Sequence, residues 1–130
     1  MQETIFHKII SGEIPFHKVY EDEHVLAFLD IHPKNKGHTL VIPKVESREF
    51  VWDLDDTTYQ TLMQAAKRIA LRLRDTLPYQ YVHMGIVGID VPYAHIHLIP
   101  FDTTDQLHGG DDDAEPDHAE LAQLAEQLRF

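Results

Sequence analysis

The apolar residues between positions 57 and 77 recur with a helical period, and this feature most limits the folds open to the chain. One stripe of the segment, about five turns long, holds the apolar residues Leu62, Ala65, Ala66, Ile69, Ala70 and Leu73. The other apolar runs are short and closed by prolines or glycines, as strands are. One long helix among several short strands favours an α+β domain.

Five runs are predicted as strands, at residues 18–20, 25–31, 38–43, 81–88 and 94–101. A short helix capped by Thr4 precedes them and should end between Gly12 and Pro15. The apolar period of HAELAQLAEQL predicts a terminal helix over residues 117–129. Most of the strands are within hairpin reach of one another, so we predict a five-stranded antiparallel sheet. The domain should span residues 1–130, with a core at 3–102 and an acidic linker at 103–116.

Composition excludes several classes of function. A net charge of -11 argues against a protein that coats nucleic acid, because affinity for a phosphate backbone comes mainly from Lys and Arg. No apolar run approaches the roughly 20 residues that cross a bilayer, and the first residues lack the features of a secretory signal. We therefore expect a cytoplasmic protein without a membrane span. The acidic run DQLHGGDDDAEPDHAE is expected to be solvated and inert.

The stretch VPYAHIHLIP, residues 91–100, places His95 and His97 one residue apart in an apolar segment. Side chains alternate across a strand, so the two imidazoles share one face with Tyr93. We expect that face to lie outside the deep core and the three polar rings to line a groove. By spacing alone, two satisfied core or surface histidines would explain the pattern as well.

Two kinds of chemistry fit the paired histidines. They could hold a transition metal together with His38 and Asp30. Alternatively, one neutral imidazole could attack a phosphorus while neighbouring rings orient the phosphate. Since the chain has no cysteine, no thiolate competes for this role, and ten histidines make imidazole the first candidate.

The run TIFHKIISGEIPFHKVYEDEHVLAFLDIHPKNKGHTLVIPK, followed by VPYAHIHLIP, resembles the histidine-triad (HIT) nucleotide-binding proteins over about residues 3 to 102. The resemblance implies that His95 is a nucleophile that attacks the α-phosphorus of a purine nucleotide and forms a nucleotidyl-histidine. It implies that His97 bonds to phosphate oxygens or orients His95, and that His38 completes the cluster.

The same resemblance implies the remaining ligand contacts. Asp30 is expected to accept from the ribose hydroxyls. The base would lie between apolar side chains, namely Phe6, Ile9, Ile14, Phe28 and Ile31. No cofactor and no catalytic metal are expected, which favours the nucleophile over the metal clamp. Relatives commonly pair as symmetric homodimers that extend one sheet across two chains.

This sequence departs from the HIT pattern at several sites. Tyr93 replaces the first histidine of the signature, so the triad becomes a dyad plus a phenol that cannot carry a positive charge at neutral pH. Many bacterial relatives assemble a structural zinc from Cys-x-x-Cys and a later histidine, where this chain has Thr4, His7 and Glu46. We predict no zinc there.

The phosphate loop also differs, because Ile89 stands where relatives have glutamine and Asp90 where some have serine. A carboxylate at Asp90 would repel extra phosphates but could accept from an amine. We therefore expect phosphoramidates, or nucleotides with small leaving groups, to be preferred over dinucleoside polyphosphates. The alternatives are a nucleotide-binding or protein-interaction module with vestigial catalysis, and a histidine-rich metal site with no nucleotide role.

Overall fold

The computed structural model describes residues 3–44 and 48–130. Its helices and strands, in chain order, are α1 (Ile5–Ser11), β1 (Lys18–Glu21), β2 (Val25–Leu29), β3 (Thr39–Pro43), α2 (Asp56–Thr76), β4 (Tyr81–Gly85), β5 (Ile96–Phe101) and α3 (His118–Leu128). Short 3₁₀ helices are present at Val51–Asp53 and Thr104–His108. Among the described residues, no helix is long and apolar enough to cross a membrane.

The strands form one antiparallel sheet in the order β1-β2-β3-β5-β4, so the predicted α+β class with a five-stranded antiparallel sheet is confirmed. β2 and β3 are a hairpin, with Val25 opposite Pro43. β5 lies between β3 and β4, where His97 pairs with Leu40 on one side and with Gly85 on the other. The histidine strand is therefore an interior strand of the sheet.

Each face of the sheet carries its own apolar core. On one face, α2 and α3 pack against alternate strand residues, among them Val41, Ile96 and Leu98. The other face carries a smaller cluster, which we call the second core: Phe6, Ile9, Leu26, Phe28, Leu40, Ile42 and Tyr93. Side chains of directly paired residues lie on the same face, so His97 shares this face with Leu40.

The depth of the histidine face differs from the prediction. His95 is 3% exposed and Tyr93 is 1% exposed, so both side chains are buried on the side of α1. The expectation that this face would lie outside the core is wrong. Strand parity assigned the residues to a face correctly, but α1 adds a second apolar layer there, and parity alone carries no information about that layer.

The helix ends follow their local signals. The Thr4 side chain accepts the backbone N–H of His7 at the start of α1, and Gly12 ends the helix with φ of +84°. Glycine adopts this left-handed conformation without steric cost. Asp55 and Asp117 cap α2 and α3 in the same manner as Thr4. The three predicted helices are thereby confirmed, with ends within a residue or two of those expected.

The strands near the histidines are shorter than predicted. β2 stops at Leu29, because the Asp30 carboxylate accepts the backbone N–H of His32 at 2.8 Å and turns the chain. β4 stops at Gly85, and β5 begins at Ile96, so His95 lies just ahead of the strand. The irregular chain at these ends carries several of the predicted site residues.

The acidic segment, residues 103–116, has exposed acidic side chains, as expected of a solvated linker, but it also contacts the rest of the fold. Its two glycines pack directly on the backbone of residues 33 and 34. A Cβ added to Gly110 would lie 2.2 Å from the Pro33 carbonyl oxygen, and one on Gly109 would lie 2.6 Å from that of Lys34. Only glycine permits this approach, and Gly110 also has φ of +82°. The segment therefore packs against the fold at these two glycines, while its acidic side chains stay exposed.

Candidate active site

A cleft of about 420 Å³ lies beside β4 and β5, and we call it the histidine cavity. Four histidines line it: His32, His38, His83 and His97. Its charged lining residues are Asp30, Lys34, Asp90 and Asp112. These side chains come from separate parts of the sequence and converge at the ends of the strands.

A main-chain amide sets the direction of the hydrogen bond between two of these histidines. The backbone N–H of Lys34 donates to His38 Nδ1 at 3.0 Å, so the proton of the neutral His38 ring lies on Nε2. His38 Nε2 is 2.9 Å from His97 Nδ1. His38 therefore donates to His97, and the proton of His97 is assigned to its Nε2 atom. That atom is a hydrogen-bond donor.

Burial keeps both rings neutral at neutral pH. Desolvation, together with the nearby Lys34 cation, lowers the pKa of His38 to about 4, while the Asp112 carboxylate acts in the opposite direction. Desolvation also lowers the pKa of His97 to about 4, with contributions from His95 and His38. These pKa values agree with the assigned donors and acceptors. If His97 were protonated at Nδ1 as well as at Nε2, the His38 Nε2–H would have no acceptor.

Asp30 lies against the same pair. Its Oδ2 atom is 3.6 Å from His38 Nε2, and because His38 is neutral this contact is not an ion pair. Burial raises the pKa of Asp30 above its usual range, while the hydrogen bond from His32 acts in the opposite direction. Asp30, His38 and His97 each offer a ligand atom within 4.8 Å of the others, so they could hold a transition metal once the shared proton is removed.

His95 is oriented by the main chain. Its Nδ1 is 2.7 Å from the Tyr93 carbonyl oxygen, which can only accept, so Nδ1 carries a proton and the neutral ring has a lone pair on Nε2. The ring centroid lies 4.9 Å from that of His97 and 5.1 Å from that of Phe6. His95 is buried and is not among the residues that line the histidine cavity. A ligand that reacts with it has to reach beyond the open part of that cavity.

The sequence that positions these two imidazoles lies within a match to a known protein family. The HIT domain model matches residues 11–104 of the sequence. This chain belongs to the HIT family. Membership confirms the resemblance found in the sequence and assigns the chain to a family of nucleotide-binding hydrolases.

Individual HIT relatives match most of the chain. An uncharacterized HIT-like protein of Methanocaldococcus jannaschii is 46% identical over 99 residues, which cover 74% of this chain and 77% of that one. The adenosine 5'-monophosphoramidase of Saccharomyces cerevisiae is 39% identical over 97 residues, which cover 74% of this chain and 61% of the yeast protein. The crystal structure of a HIT-like protein involved in cell-cycle regulation from Bartonella henselae is similar, with a TM-score of 0.85 and 30% sequence identity. The match covers 98% of this chain and 94% of the Bartonella chain.

Tyr93, which replaces the first HIT histidine, packs in the second core. Its hydroxyl donates to the Pro43 carbonyl oxygen at 2.5 Å, and its ring meets the edges of Phe6 and His7, with centroids 5.9 and 4.8 Å away. Burial raises the pKa of Tyr93 to about 12. The predicted groove of three polar rings is therefore wrong. His97 lines the histidine cavity, whereas Tyr93 contacts His95 through its main-chain carbonyl.

The apolar residues expected to hold the base are only partly brought together. Phe6 and Phe28 meet edge to face with centroids 5.6 Å apart, and Ile9 and Ile14 pack with them at the second core. Ile31 lies elsewhere, 40% exposed, in a neighbouring cleft of about 390 Å³ between residues 29–38 and the C-terminal part of the chain. A base between Phe6 and Phe28 would enter space that side chains now fill.

Thr4 and His7 cap α1 in this chain. They stand at two of the positions where HIT relatives have zinc ligands. The Thr4 backbone N–H donates to His7 Nδ1 at 2.9 Å, and the His7 backbone N–H donates to Thr4 Oγ1 at 3.4 Å. A Cys-x-x-Cys pair and a capping box share the same three-residue spacing, so one can occupy the place of the other. Glu46, the third position, lies outside the described residues. The absence of a structural zinc stays a prediction.

Sequence reasoning identified Asp90, which lines the histidine cavity, but missed His83, Lys34 and Asp112. A signal for His83 was present, since YVHMG was a predicted strand close to the histidine strand, and His83 pairs with Ile99. Asp112 had no comparable signal. Its acidic surroundings are typical of a solvated linker, and only the packing of Gly109 and Gly110 brings it beside Lys34.

Proposed function

We propose that this chain is a nucleotide hydrolase or nucleotidyl transferase that cleaves at the α-phosphate of a purine nucleotide derivative through a nucleotidyl-histidine intermediate. The observation that carries the proposal is the pair of tautomers that the hydrogen bonds assign. His95 has a lone pair on Nε2, and His97 has an N–H donor at Nε2. The similarity to a yeast adenosine 5'-monophosphoramidase supports the substrate class.

In the first step of the proposed reaction, the Nε2 lone pair of His95 attacks the α-phosphorus. The bond to the leaving group breaks, and its electron pair stays on the leaving group, which takes up a proton from solvent. His97 donates its Nε2–H to a phosphoryl oxygen as negative charge increases there. In the second step water attacks the phosphorus and releases a proton to solvent, the P–N bond to His95 breaks, and the electron pair of that bond returns to Nε2. The net reaction adds water across a P–N or P–O bond.

The remaining residues bind and orient the substrate in this proposal. Asp30 accepts hydrogen bonds from the ribose hydroxyls, a role for an ionised carboxylate facing two donors. Asp90 accepts from the amine of a phosphoramidate and repels the further phosphates of a dinucleoside polyphosphate. The protein would act without a cofactor, as a cytoplasmic homodimer, and without a nucleic-acid partner.

The burial of His95 favours a second candidate, a nucleotide-binding or protein-interaction module in which catalysis is vestigial. A nucleophile that is 3% exposed is poorly accessible to a phosphorus until the surrounding side chains move. Nucleotide binding at His97 and Asp30 would need less movement, because both residues are partly exposed and line the open histidine cavity.

Substitution of His95 separates the two candidates. For an enzyme, His95→Asn should lower kcat on an adenosine phosphoramidate by about a thousandfold or more and leave AMP binding intact in calorimetry. A matched control is His24→Asn, which changes an exposed histidine outside the cavity. AMP binding by a wild-type protein without turnover would support the binding module instead.

The preferred leaving group is tested by comparing turnover of a diadenosine polyphosphate with that of the adenosine phosphoramidate. Faster cleavage of the diadenosine polyphosphate would contradict the proposed preference.

The metal interpretation has its own measurement. If the Asp30, His38 and His97 cluster served to hold a metal, chelation should abolish function and metal analysis of the purified protein should find bound metal. We expect instead that AMP binding and turnover survive treatment with EDTA, because the proton between His38 and His97 occupies the position that a metal would need.

A further inference from the structure

The charges that line the histidine cavity are poorly suited to a ligand with several phosphates. Asp30, Asp90 and Asp112 supply three carboxylates, and Lys34 is the one lysine or arginine among the described residues that line this cavity. The ammonium of Lys34 lies 3.5 Å from the Asp112 carboxylate. His38 is neutral at neutral pH and does not offset these carboxylates. The positive charge available to an anionic ligand is therefore already paired.

Backbone packing close to Asp112 contributes to holding its segment against the fold. Two residues earlier, Gly110 lies directly against the Pro33 carbonyl. The side chains of Lys34 and Asp112 are 37% and 70% exposed, and a pair this exposed contributes little to stability. Removing the Asp112 charge should therefore change the electrostatics of the cavity without loosening the fold.

We propose that Asp112 is a specificity-determining residue, which pairs with Lys34 and so selects nucleotides whose leaving group is neutral or an amine over those that carry further phosphates. This inference deepens the proposed function and rests on it, because it takes the histidine cavity as the place where the α-phosphate and the leaving group bind. Asp112 need not touch the substrate. It acts by occupying Lys34, whose flexible ammonium could otherwise bind a second phosphate.

Calorimetry at low salt tests the inference with two ligands that are not hydrolysed, AMP and the α,β-methylene analogue of ADP. Asp112→Asn should strengthen binding of the methylene analogue relative to AMP by about two- to fivefold, because the gain is limited by the strength of the exposed ion pair that the substitution removes. Asp113→Asn is the matched control, since it removes the same charge from a neighbouring residue that does not line the cavity. It should leave the affinity ratio unchanged.

A double variant tests the role of Lys34. In a Lys34→Gln background, Asp112→Asn should lose most of its effect on the affinity ratio, because the cation that it releases is absent. Three results would overturn the inference and leave the proposed function standing. They are an unchanged affinity ratio in Asp112→Asn, an equal change of the ratio in Asp113→Asn, and a full effect of Asp112→Asn in the Lys34→Gln background. If neither AMP nor the analogue bound to the wild-type protein, the proposed function would fall together with it.

Discussion

At the residue scale, Tyr93 occupies a HIT signature position without exposing its polar group to the histidine cavity. Its phenol hydrogen-bonds a carbonyl at the end of β3, and its ring packs between Phe6 and His7. The same residue orients His95, but through a backbone carbonyl that any amino acid would supply. The identity of the Tyr93 side chain should therefore matter to folding more than to catalysis.

Tyr93→Phe should lower the free energy of unfolding by about 1–2 kcal/mol, because the buried Pro43 carbonyl loses its donor. Turnover of an adenosine phosphoramidate should change little. Urea unfolding and steady-state kinetics measure the two effects. Tyr81→Phe, at a half-exposed tyrosine, is the control and should alter neither. A large fall in kcat at unchanged stability would show instead that the phenol takes part in the reaction.

The cluster of Asp30, His38 and His97 could be predicted from the sequence, although these residues are far apart along the chain. The family resemblance carried the long-range information that local patterns lack. The depth of His95 and Tyr93 could not be predicted in the same way. Alternation along a strand tells which face a side chain occupies, whereas its burial depends on whether another element covers that face.

At the element scale, the acidic segment packs on residues 33 and 34 through its two glycines. Composition predicted a solvated linker, because a run of carboxylates next to Gly and Pro is typical of one, and the acidic side chains are indeed exposed. The packing of Gly110 on Pro33 is a contact between distant parts of the chain, so no local pattern reveals it. The helices, in contrast, could be predicted nearly to the residue because their caps are local.

Gly110→Ala tests this contact, and Gly12→Ala is its matched control. Both glycines have φ near +80°, but a Cβ at Gly12 would meet nothing within 4 Å, whereas one at Gly110 would meet the Pro33 carbonyl at 2.2 Å. Gly12→Ala should cost about 1 kcal/mol from backbone strain alone. Gly110→Ala should cost about 2–4 kcal/mol or displace the acidic segment.

Urea unfolding gives the two stability changes, and amide hydrogen exchange over residues 33–38 reports displacement of the acidic segment. The Gly110 variant should show faster exchange there, and the Gly12 variant should not. Equal losses of stability with unchanged exchange in both variants would mean that the acidic segment is not held by this contact.

At the scale of the whole molecule, the two edges of the sheet differ. Along β1, the Phe130 backbone N–H donates to the Val19 carbonyl at 3.3 Å and the Arg129 side chain donates to that of Lys18 at 3.1 Å. The β4 edge instead exposes Tyr81 and Met84. An unpaired edge strand is a template for pairing with another chain. If two copies extend one sheet, as the resemblance implies, β4 is the edge that is available.

Met84→Glu should therefore shift a dimer toward monomer, because it sets two carboxylates near each other across chains that each carry a charge of -11. Light scattering after size-exclusion chromatography measures the mass. Ile5→Glu makes the same kind of change at another exposed apolar residue and should leave the mass unchanged. A wild-type protein with the mass of one chain would contradict the proposed homodimer.

The chain of hydrogen bonds that begins at the Lys34 amide also determines which groups of the histidine cavity donate and which accept. His97 can only donate, since its acceptor atom is engaged by His38. The Asp30 carboxylate, which offers a ligand atom within 4.8 Å of one on His97, can only accept while it is ionised. A small polar ligand that bridges the two has to present an acceptor to His97 and a donor to Asp30, and exchanging its two groups would set donor against donor. The pair thus distinguishes the two ends of such a ligand.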